Sequence, residues 1–242
     1  MGRRRRDPGV DVMPDPFNEI RPTREGLLAR LMARLLGEQK KRVTAEIAPV
    51  VIEMDHGFWL TENEHLQLPL MPQLQSAAEE AAGVMALEIG IGVDVGFINL
   101  EALEWATTYS YDLVQGLNST SRAVVEKALA EYIATPGLTL QDFADMIAPT
   151  FGPIRAEMIA VTETTRAYYE GGAIAARKIM MDTGIEMVEI WNTSNDELVC
   201  EICAPLNLTA RYPGPQGDYE YGWEDGPPAH PRCRCGVTYE FP

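Results

Sequence analysis

The clearest hydrophobic pattern in the chain lies close to its N-terminus. In REGLLARLMARLLGEQKKRV, apolar side chains recur every three to four residues, which is the period of one face of an α-helix. We predict an amphipathic helix here, stopped by Pro49. Three surfaces could receive its apolar stripe: the protein's own core, a partner protein or second copy, or a membrane, which is disfavoured because the stripe lacks Trp and Phe. The stripe consists of Leu27, Leu28, Leu31, Met32, Leu35 and Leu36.

Helical signals dominate the middle of the chain. Residues 50–72 show no clear period, which predicts irregular chain or short strands, whereas residues 73–89 are rich in Ala and Glu and favour a helix. The segment INLEALEWATTYSYDLVQG predicts a helix that ends at Gly116. The next segment, NSTSRAVVEKALAEYIATPG, predicts another helix with Ser and Thr caps at its start and Pro-Gly at its stop.

Two further helices are predicted before residue 185. Thr139 followed by Asp142 has the spacing of a capping box and opens a short helix. Pro153 suits the first turn of a long helix that runs to Gly184. The pair Gly171-Gly172 inside this helix costs about 1–2 kcal/mol relative to alanines. Close packing against a neighbouring element or a kink would explain the pair.

The periodicity changes after residue 184. The segment IEMVEIWN alternates apolar and polar positions, which predicts a strand with one buried face. A Cys-x-x-Cys turn and a loop rich in Pro, Gly and Tyr follow, and GVTYEF predicts a final strand. Helices first and strands last predict an α+β fold that is mostly α.

All four cysteines and one of the three histidines fall in the last 43 residues, in the pattern C-x2-C-x26-H-x2-C-x-C. Two close ligand pairs joined by a long loop suit a tetrahedral zinc ion that staples two turns together. We therefore predict one structural zinc site that shapes residues 190–242, with one spare candidate among its ligands. The five candidates are Cys200, Cys203, His230, Cys233 and Cys235.

Other roles for these side chains stay open at the level of sequence. Disulfides suit an oxidising compartment and leave the histidine unexplained, and buried free cysteines are a further alternative. A catalytic zinc is disfavoured, because neither the deaminase nor the metalloprotease pattern is present. His56 and His65 stand outside any metal motif and are interpreted as ordinary histidines.

Charge divides the chain into a basic arm and an acidic body. The net charge is −16, yet residues 1–42 hold 11 Lys and Arg against 6 Asp and Glu. The acidic body repels phosphate, so only the arm could touch nucleic acid, through Arg3, Arg4, Arg5 and Arg6, unless it is a solubilising tail. No apolar segment follows these arginines and no apolar run could span a bilayer, which predicts a protein that stays inside the cell.

The C-terminal half resembles the phage Mu F-like minor head (head morphogenesis) proteins. The similarity includes the helix pair SRAVVEKALAEYIATPGLTLQDFADMIAPTFGPI, the Thr-Glu helix, the strand and turn WNTSNDELVCEIC, and the closing PPAHPRCRC. Arg232 departs from the pattern, in which Asn is common. Besides the five metal candidates, the motif positions are Thr162, Glu163, Trp191, Thr193, Asp196, Pro231 and Arg234.

The pattern along the chain and this resemblance together predict three segments, and the resemblance implies a structural role. Residues 1–49 form the basic arm and amphipathic helix, residues 50–118 a mainly helical region, and residues 119–242 the Mu F-like domain with its zinc site. The family implies a non-enzymatic virion component of a tailed phage or prophage. It is expected in the host cytoplasm during assembly and then inside the capsid at the portal vertex, where it assists head morphogenesis and DNA packaging or delivery. The implied partners are the portal protein, the major capsid protein or a second copy.

One alternative function and one open residue role accompany this expectation. The first is a nucleic-acid-binding zinc module that touches packaged DNA through residues 1–42. The second concerns Glu163, which could form an ion pair with Arg166, Arg155 or Arg234, or remain a solvated charge. A catalytic role for Glu163 of the ADP-ribosyltransferase type is disfavoured, because no nucleotide-binding motif accompanies it.

Overall fold

The computed structural model describes residues 15–47, 56–193, 199–211 and 226–241. Along these residues five α-helices precede three short strands, and short 3-10 turns cover Ala148–Phe151 and Ala204–Leu206. This order gives the α+β, mostly helical fold that the sequence predicts, so the predicted fold class is confirmed. The elements are α1 (Arg21–Ile47), α2 (His56–Ile89), α3 (Val95–Ala134), α4 (Leu140–Ile147), α5 (Pro153–Thr183), β1 (Val188–Asn192), β2 (Ala210–Arg211) and β3 (Gly236–Glu240).

The chain forms two compact units, each assembled from separate stretches of sequence. The first unit comprises Met1–Pro22, Ala77–Ala102 and Thr162–Pro242, and its described part holds all three strands. The second unit comprises Thr23–Ser76 and Leu103–Val161, and its described part is helical. The segment boundaries 1–49, 50–118 and 119–242 inferred from the sequence stay predictions. None of the described helices combines the length and apolar composition that crossing a membrane requires.

The apolar stripe of α1 packs into the core of the second unit. Leu28, Met32, Leu35 and Leu36 are buried there, whereas Leu27 is exposed at the edge of the stripe. Of the three surfaces that the sequence leaves open for this stripe, the protein's own core receives most of it. The helix ends at Ile47, and the predicted stop at residue 49 lies outside the described residues.

Residues 56–72 are helical, which corrects the prediction of irregular chain or short strands. They form the first half of α2, and Pro69 and Pro72 lie inside the helix. The sequence hides the helical period for two reasons. Each proline lacks the N–H that would bond the carbonyl four residues back, so the pair suggests a break. A glutamate, Glu62, also occupies a buried position. Arg42 forms a bidentate ion pair with it, from Nε to Oε1 at 2.5 Å and from Nη2 to Oε2 at 2.9 Å.

Helix α3 is continuous through Gly116, which corrects the prediction of two separate helices. The prediction rested on the Ser and Thr residues that follow this glycine, which resemble an N-terminal cap. In the structure their hydroxyls bond backwards along the same helix. Thr120 Oγ1 donates to the carbonyl of Gly116 at 3.0 Å, and Ser121 Oγ donates to the carbonyl of Leu117 at 2.9 Å.

The two remaining helix predictions hold. Thr139 and Asp142 form the capping box at the start of α4, with side-chain to backbone bonds in both directions. Helix α5 covers the predicted range and contains the glycine pair. At Gly171 a Cβ atom would lie 2.1 Å from the carbonyl oxygen of Ala78, so close packing explains the first of these glycines.

The strands form one antiparallel sheet in the order β2-β1-β3. Five residues of β1 pair with β3, and Trp191 lies opposite Val237. All five residues of β1 are buried, which corrects the prediction of one exposed face. Its polar side chains are tolerated because they are paired: Asn192 donates to Thr238 Oγ1 at 2.9 Å, and Glu189 binds Arg211 of β2.

Candidate metal centre

The first pair of candidate ligands lies on a tight turn after β1. The amides of Cys203 and Ala204 both donate to the carbonyl of Cys200, at 3.1 and 2.9 Å. This turn aims both sulfurs to one side. The chain then returns to the sheet, where the amide of Leu208 donates to the carbonyl of Trp191 at 2.8 Å. The backbone of Trp191, whose side chain is buried, therefore anchors the base of the loop that carries the first two sulfurs.

The second group of ligands lies on the turn that enters β3. The amide of Cys233 donates to the carbonyl of His230 at 3.1 Å, and Arg232 adopts a left-handed backbone with φ of 65°. Cys235 follows directly before β3 begins at Gly236. Because β1 and β3 are paired neighbours, the two turns meet at the same end of the sheet.

All five candidate ligands come together there. The Nε2 atom of His230 lies 3.0 Å from Cys200 Sγ and 3.2 Å from Cys203 Sγ. The sulfurs of Cys203 and Cys233 are 3.7 Å apart. The ligand atoms form two compact groups, Cys200 with Cys203 and His230, and Cys203 with Cys233 and Cys235, so Cys203 is common to both.

These distances fit a small tetrahedral metal ion. Two thiolates at about 2.3 Å from one zinc ion lie about 3.7–3.8 Å apart, which is the separation of Cys203 and Cys233. A sulfur and an imidazole nitrogen on the same ion lie about 3.5 Å apart, so His230 would move outward by a few tenths of an ångström. All four cysteines are free thiols, so the disulfide alternative finds no support in the structure.

His230 is oriented as a metal ligand. Its Nδ1 atom lies 2.8 Å from the carbonyl oxygen of Pro231, which accepts a hydrogen bond from a protonated Nδ1. That tautomer leaves the Nε2 lone pair facing the sulfurs, which is the arrangement found around metal-binding histidines. Burial lowers the pKa of His230, but the bond to Pro231 and the charges of Cys233 and Cys200 outweigh burial and raise it.

The thiols differ strongly in acidity. The pKa of Cys233 is lowered to about 5, first because the Cys235 thiol donates a hydrogen bond to its sulfur. Burial raises the pKa of Cys203 to about 12, and the charge of Cys233 adds to this effect. The pKa of Cys235 is raised by its bond to Cys233 and by burial. A bound cation would replace the protons that these thiols carry.

Two threonines of α5 hold the second ligand turn. Thr165 Oγ1 donates to the carbonyl of Cys233 at 2.8 Å, and the amide of Arg232 donates to Thr162 Oγ1 at 2.9 Å. Glu163, between them, is buried. Thr162 was singled out from the sequence, whereas Thr165 was missed, although its spacing of three residues from Thr162 places both on one face of the helix.

A second missed residue is Arg21, which precedes the metal ligands by more than 170 residues. It donates through Nη1 to the carbonyl of Arg234, in the middle of the Cys-x-Cys ligand turn. No sequence signal connects these two positions, because the contact depends on how the chain folds back on itself.

The other predicted motif residues are only partly placed at the centre. Pro231 is exposed within the second ligand turn, and Arg234 is half-buried there. Asp196 and the arginines Arg3–Arg6 lie outside the described residues. The ion pair of Glu163 with an arginine stays a prediction. The Arg155 guanidinium, one of the three suggested partners, donates to Ser121 Oγ and to the carbonyls of Thr150 and Leu117 in the second unit.

Comparison with known proteins agrees with the sequence motifs. Residues 123–238 match the family model described as phage Mu protein F like protein. Neither the curated proteins nor the solved structures contain a match to this chain. The matched segment includes α4, α5, β1, β2, the first three residues of β3 and every candidate ligand. Over residues 123–238 the chain is thus similar to the phage Mu protein F-like family, which confirms the resemblance drawn from the motifs.

Proposed function

We propose that the chain is a structural head protein of a tailed phage or prophage whose C-terminal fold is held by one zinc ion. The observation that carries the proposal is the convergence of sulfur and imidazole atoms from two turns that are about 30 residues apart in sequence. The metal would be held by Cys200, Cys203 and His230, whose ligand atoms lie within 4.8 Å of one another, and by Cys233, whose sulfur is 3.7 Å from that of Cys203. Cys235 lies beside this set as a reserve ligand.

The donor set supports a structural role over a catalytic one. Three thiolates and one imidazole fill a tetrahedral shell, so no position is left for water or substrate. The metal would cross-link the turn after β1 to the turn before β3, and its binding free energy would add to the folding free energy of the sheet. The matched family is one of phage head morphogenesis proteins, which agrees with a structural rather than a catalytic role.

Metal content tests the centre directly. Protein purified under reducing conditions and without chelators is expected to carry about one zinc per chain in elemental analysis. Cys203→Ala removes the sulfur that both ligand groups share and is expected to abolish binding. Cys235→Ala, the matched control, removes the reserve ligand and is expected to retain the metal. A wild-type chain that carries no transition metal while the C-terminal sheet stays folded would refute the centre.

The assembly role extends to a partner and a place. We propose that the protein enters the prohead near the portal vertex and binds the portal protein or the major capsid protein. Binding of a partner through a folded protein surface would persist at high salt, whereas binding of the basic arm to DNA would weaken. The head family supports this role, and the acidic body disfavours wrapping of nucleic acid as the main function.

Co-expression with the portal protein encoded by the same phage tests this assignment. The two proteins are expected to co-purify at about 1 M salt, where interactions between exposed charges are screened within about 3 Å. Cys203→Ala is expected to weaken the complex. Salt-sensitive retention on DNA, lost when residues 1–42 are deleted and without any capsid or portal complex, would contradict the proposal and favour the nucleic-acid module.

A further inference from the structure

We infer that Arg21 is a positioning residue of the metal centre and that the N-terminal latch, defined as residues 15–21, closes in concert with metal binding. The inference rests on the proposed zinc centre. It adds a partner within the same chain that lies outside the segment matched by the family, 123–238.

The guanidinium of Arg21 reaches the ligand turn directly. Its Nη1 atom donates to the carbonyl oxygen of Arg234, the residue between the ligand Cys233 and the reserve ligand Cys235. Arg21 is only 4% exposed, and its Nη2 atom lies 2.6 Å from the carboxylate of Asp15. A charge buried this deeply is costly unless it is paired and hydrogen-bonded, so the ion pair and the carbonyl bond must form together.

The rest of the latch is seated in the same unit. Asp15 Oδ1 accepts the amide of Phe17 at 3.0 Å, and the Asp15 carboxylate lies against Gly236, where a Cβ atom would approach it to 3.0 Å. The ring of Phe17 is 1% exposed and packs on Tyr168 of α5, with ring centroids 5.0 Å apart. The buried ring of Phe17 and the ion pair between Asp15 and Arg21 therefore hold the latch in place.

Backbone carbonyls orient the ligand turn, and each has a different donor. The carbonyl of Cys233 is held by Thr165, and the carbonyl of Arg234 is held by Arg21. The amide of Arg232 is fixed by Thr162. Two of these three supports come from α5, but the one closest to the reserve ligand comes from the latch. Groups that orient metal ligands in this way are part of the site, because they fix where the ligand atoms point.

The consequence is a reciprocal coupling. A metal ion fixes the ligand turn and with it the carbonyl that Arg21 binds, so the metal favours the closed latch. By linkage the closed latch must favour the metal by the same factor. Loss of a partner that orients a metal ligand typically costs about 10- to 100-fold in metal affinity, which sets the expected size of the effect.

The first measurement is zinc affinity in the full chain, determined by competition with a chromophoric chelator. Arg21→Met keeps most of the side-chain volume and removes the guanidinium, and it is expected to weaken zinc binding about 10- to 100-fold. Arg30→Met, the matched control, makes the same change at an exposed arginine of the same helix and is expected to leave the affinity unchanged. The double variant Asp15→Asn/Arg21→Met removes both charges, so that no unpaired carboxylate is left buried if the single variant folds poorly.

The second measurement follows the latch in the wild-type chain. Hydrogen exchange of the peptide covering residues 15–21 is expected to slow when zinc is added, because the amides of Phe17 and Arg21 are hydrogen-bonded in the closed latch, which zinc is expected to favour. This readout needs no variant, so it decides the question even if Arg21→Met does not fold.

The outcomes separate the two proposals. A wild-type chain that binds no zinc overturns the metal centre and the coupling together. Zinc binding that is equally tight in wild type, Arg21→Met and the double variant overturns the coupling and leaves the centre standing. Hydrogen exchange of residues 15–21 that is the same with and without zinc also overturns the coupling and leaves the centre standing. Weaker binding in both latch variants, with slower exchange in zinc, supports the coupling.

Discussion

At position 171 the chain needs glycine because the backbone of α2 passes directly against α5. A Cβ atom there would lie 2.1 Å from the Ala78 carbonyl oxygen and 2.9 Å from Ala81 Cβ. Backbone atoms cannot rotate away as the end of a flexible side chain can. The neighbouring Gly172 is less restricted, since its nearest neighbours are side-chain atoms of Met85 and Tyr239 at 3.4 and 3.5 Å. The sequence indicates that the pair is costly, but only the packing shows which glycine is required.

This difference can be measured as stability. Gly171→Ala is expected to lower the free energy of unfolding by about 1–3 kcal/mol, because α5 or α2 must shift. Gly116→Ala on α3 is the matched control, since a Cβ atom there meets nothing within 4 Å. It is expected to raise the free energy of unfolding by about 0.5–1 kcal/mol through helix propensity. Chemical denaturation measures both changes, and a stabilised Gly171→Ala variant would contradict the packing.

At the scale of elements, the sequence identifies helices more reliably than their limits. The capping box of α4 and the full length of α5 follow from local chemistry, because caps and periodic apolar positions act within a few residues. Helices α2 and α3 extend beyond their predicted limits because tertiary packing outweighs the local signals. Two prolines and a run of Ser and Thr are local signals for breaks, but burial of Leu66 and Leu74 and of Val114 and Val125 on either side of them outweighs these signals.

A second feature at the scale of elements is the polar contact that joins α5, β1 and β2. The Tyr169 hydroxyl accepts a hydrogen bond from Arg211 Nη2 at 2.5 Å, and the same guanidinium binds Glu189 of β1. Burial, followed by the charge of Glu189, raises the pKa of Tyr169 to about 12. Burial of Tyr169 beside Glu189 makes the sheet edge sensitive to alkali, a property that sequence periodicity does not contain.

The sign of this effect follows from proton binding. Because the folded state holds the Tyr169 proton more tightly than the unfolded chain, the protonated hydroxyl contributes stability below pH 10 that is lost as pH rises from 10 to about 12. One proton changes the unfolding free energy by at most about 1.4 kcal/mol per pH unit. Tyr169→Phe is expected to make the loss between these pH values shallower, measured by denaturant unfolding. The effect is partial because the pKa of buried Tyr239 is also raised. A slope that Tyr169→Phe leaves unchanged would contradict this assignment.

At the scale of the whole molecule, neither compact unit is continuous in sequence. The first unit combines residues from the N-terminus, from α2 and α3, and from the C-terminal half that carries the family motif. The candidate metal centre shows the same principle. Its candidate ligands are close in sequence within each turn, but the second turn is oriented by Thr165 on α5 and by Arg21 near the N-terminus. A domain defined by similarity alone, 123–238, therefore omits a contact to its own metal centre.

The sequence by itself determined the α+β class, the helical stripe of α1, the two longer strands of the C-terminal sheet and the five candidate ligands. Each of these depends on spacing between near neighbours, which the polypeptide geometry fixes locally. Only the tertiary structure decided that α2 and α3 run without a break, that β1 is buried on both faces, that Cys203 is common to both ligand groups, and that Arg21 supports the ligand turn. These features arise from burial and hydrogen bonds between residues far apart in the chain, and the energy of such contacts is absent from any local pattern.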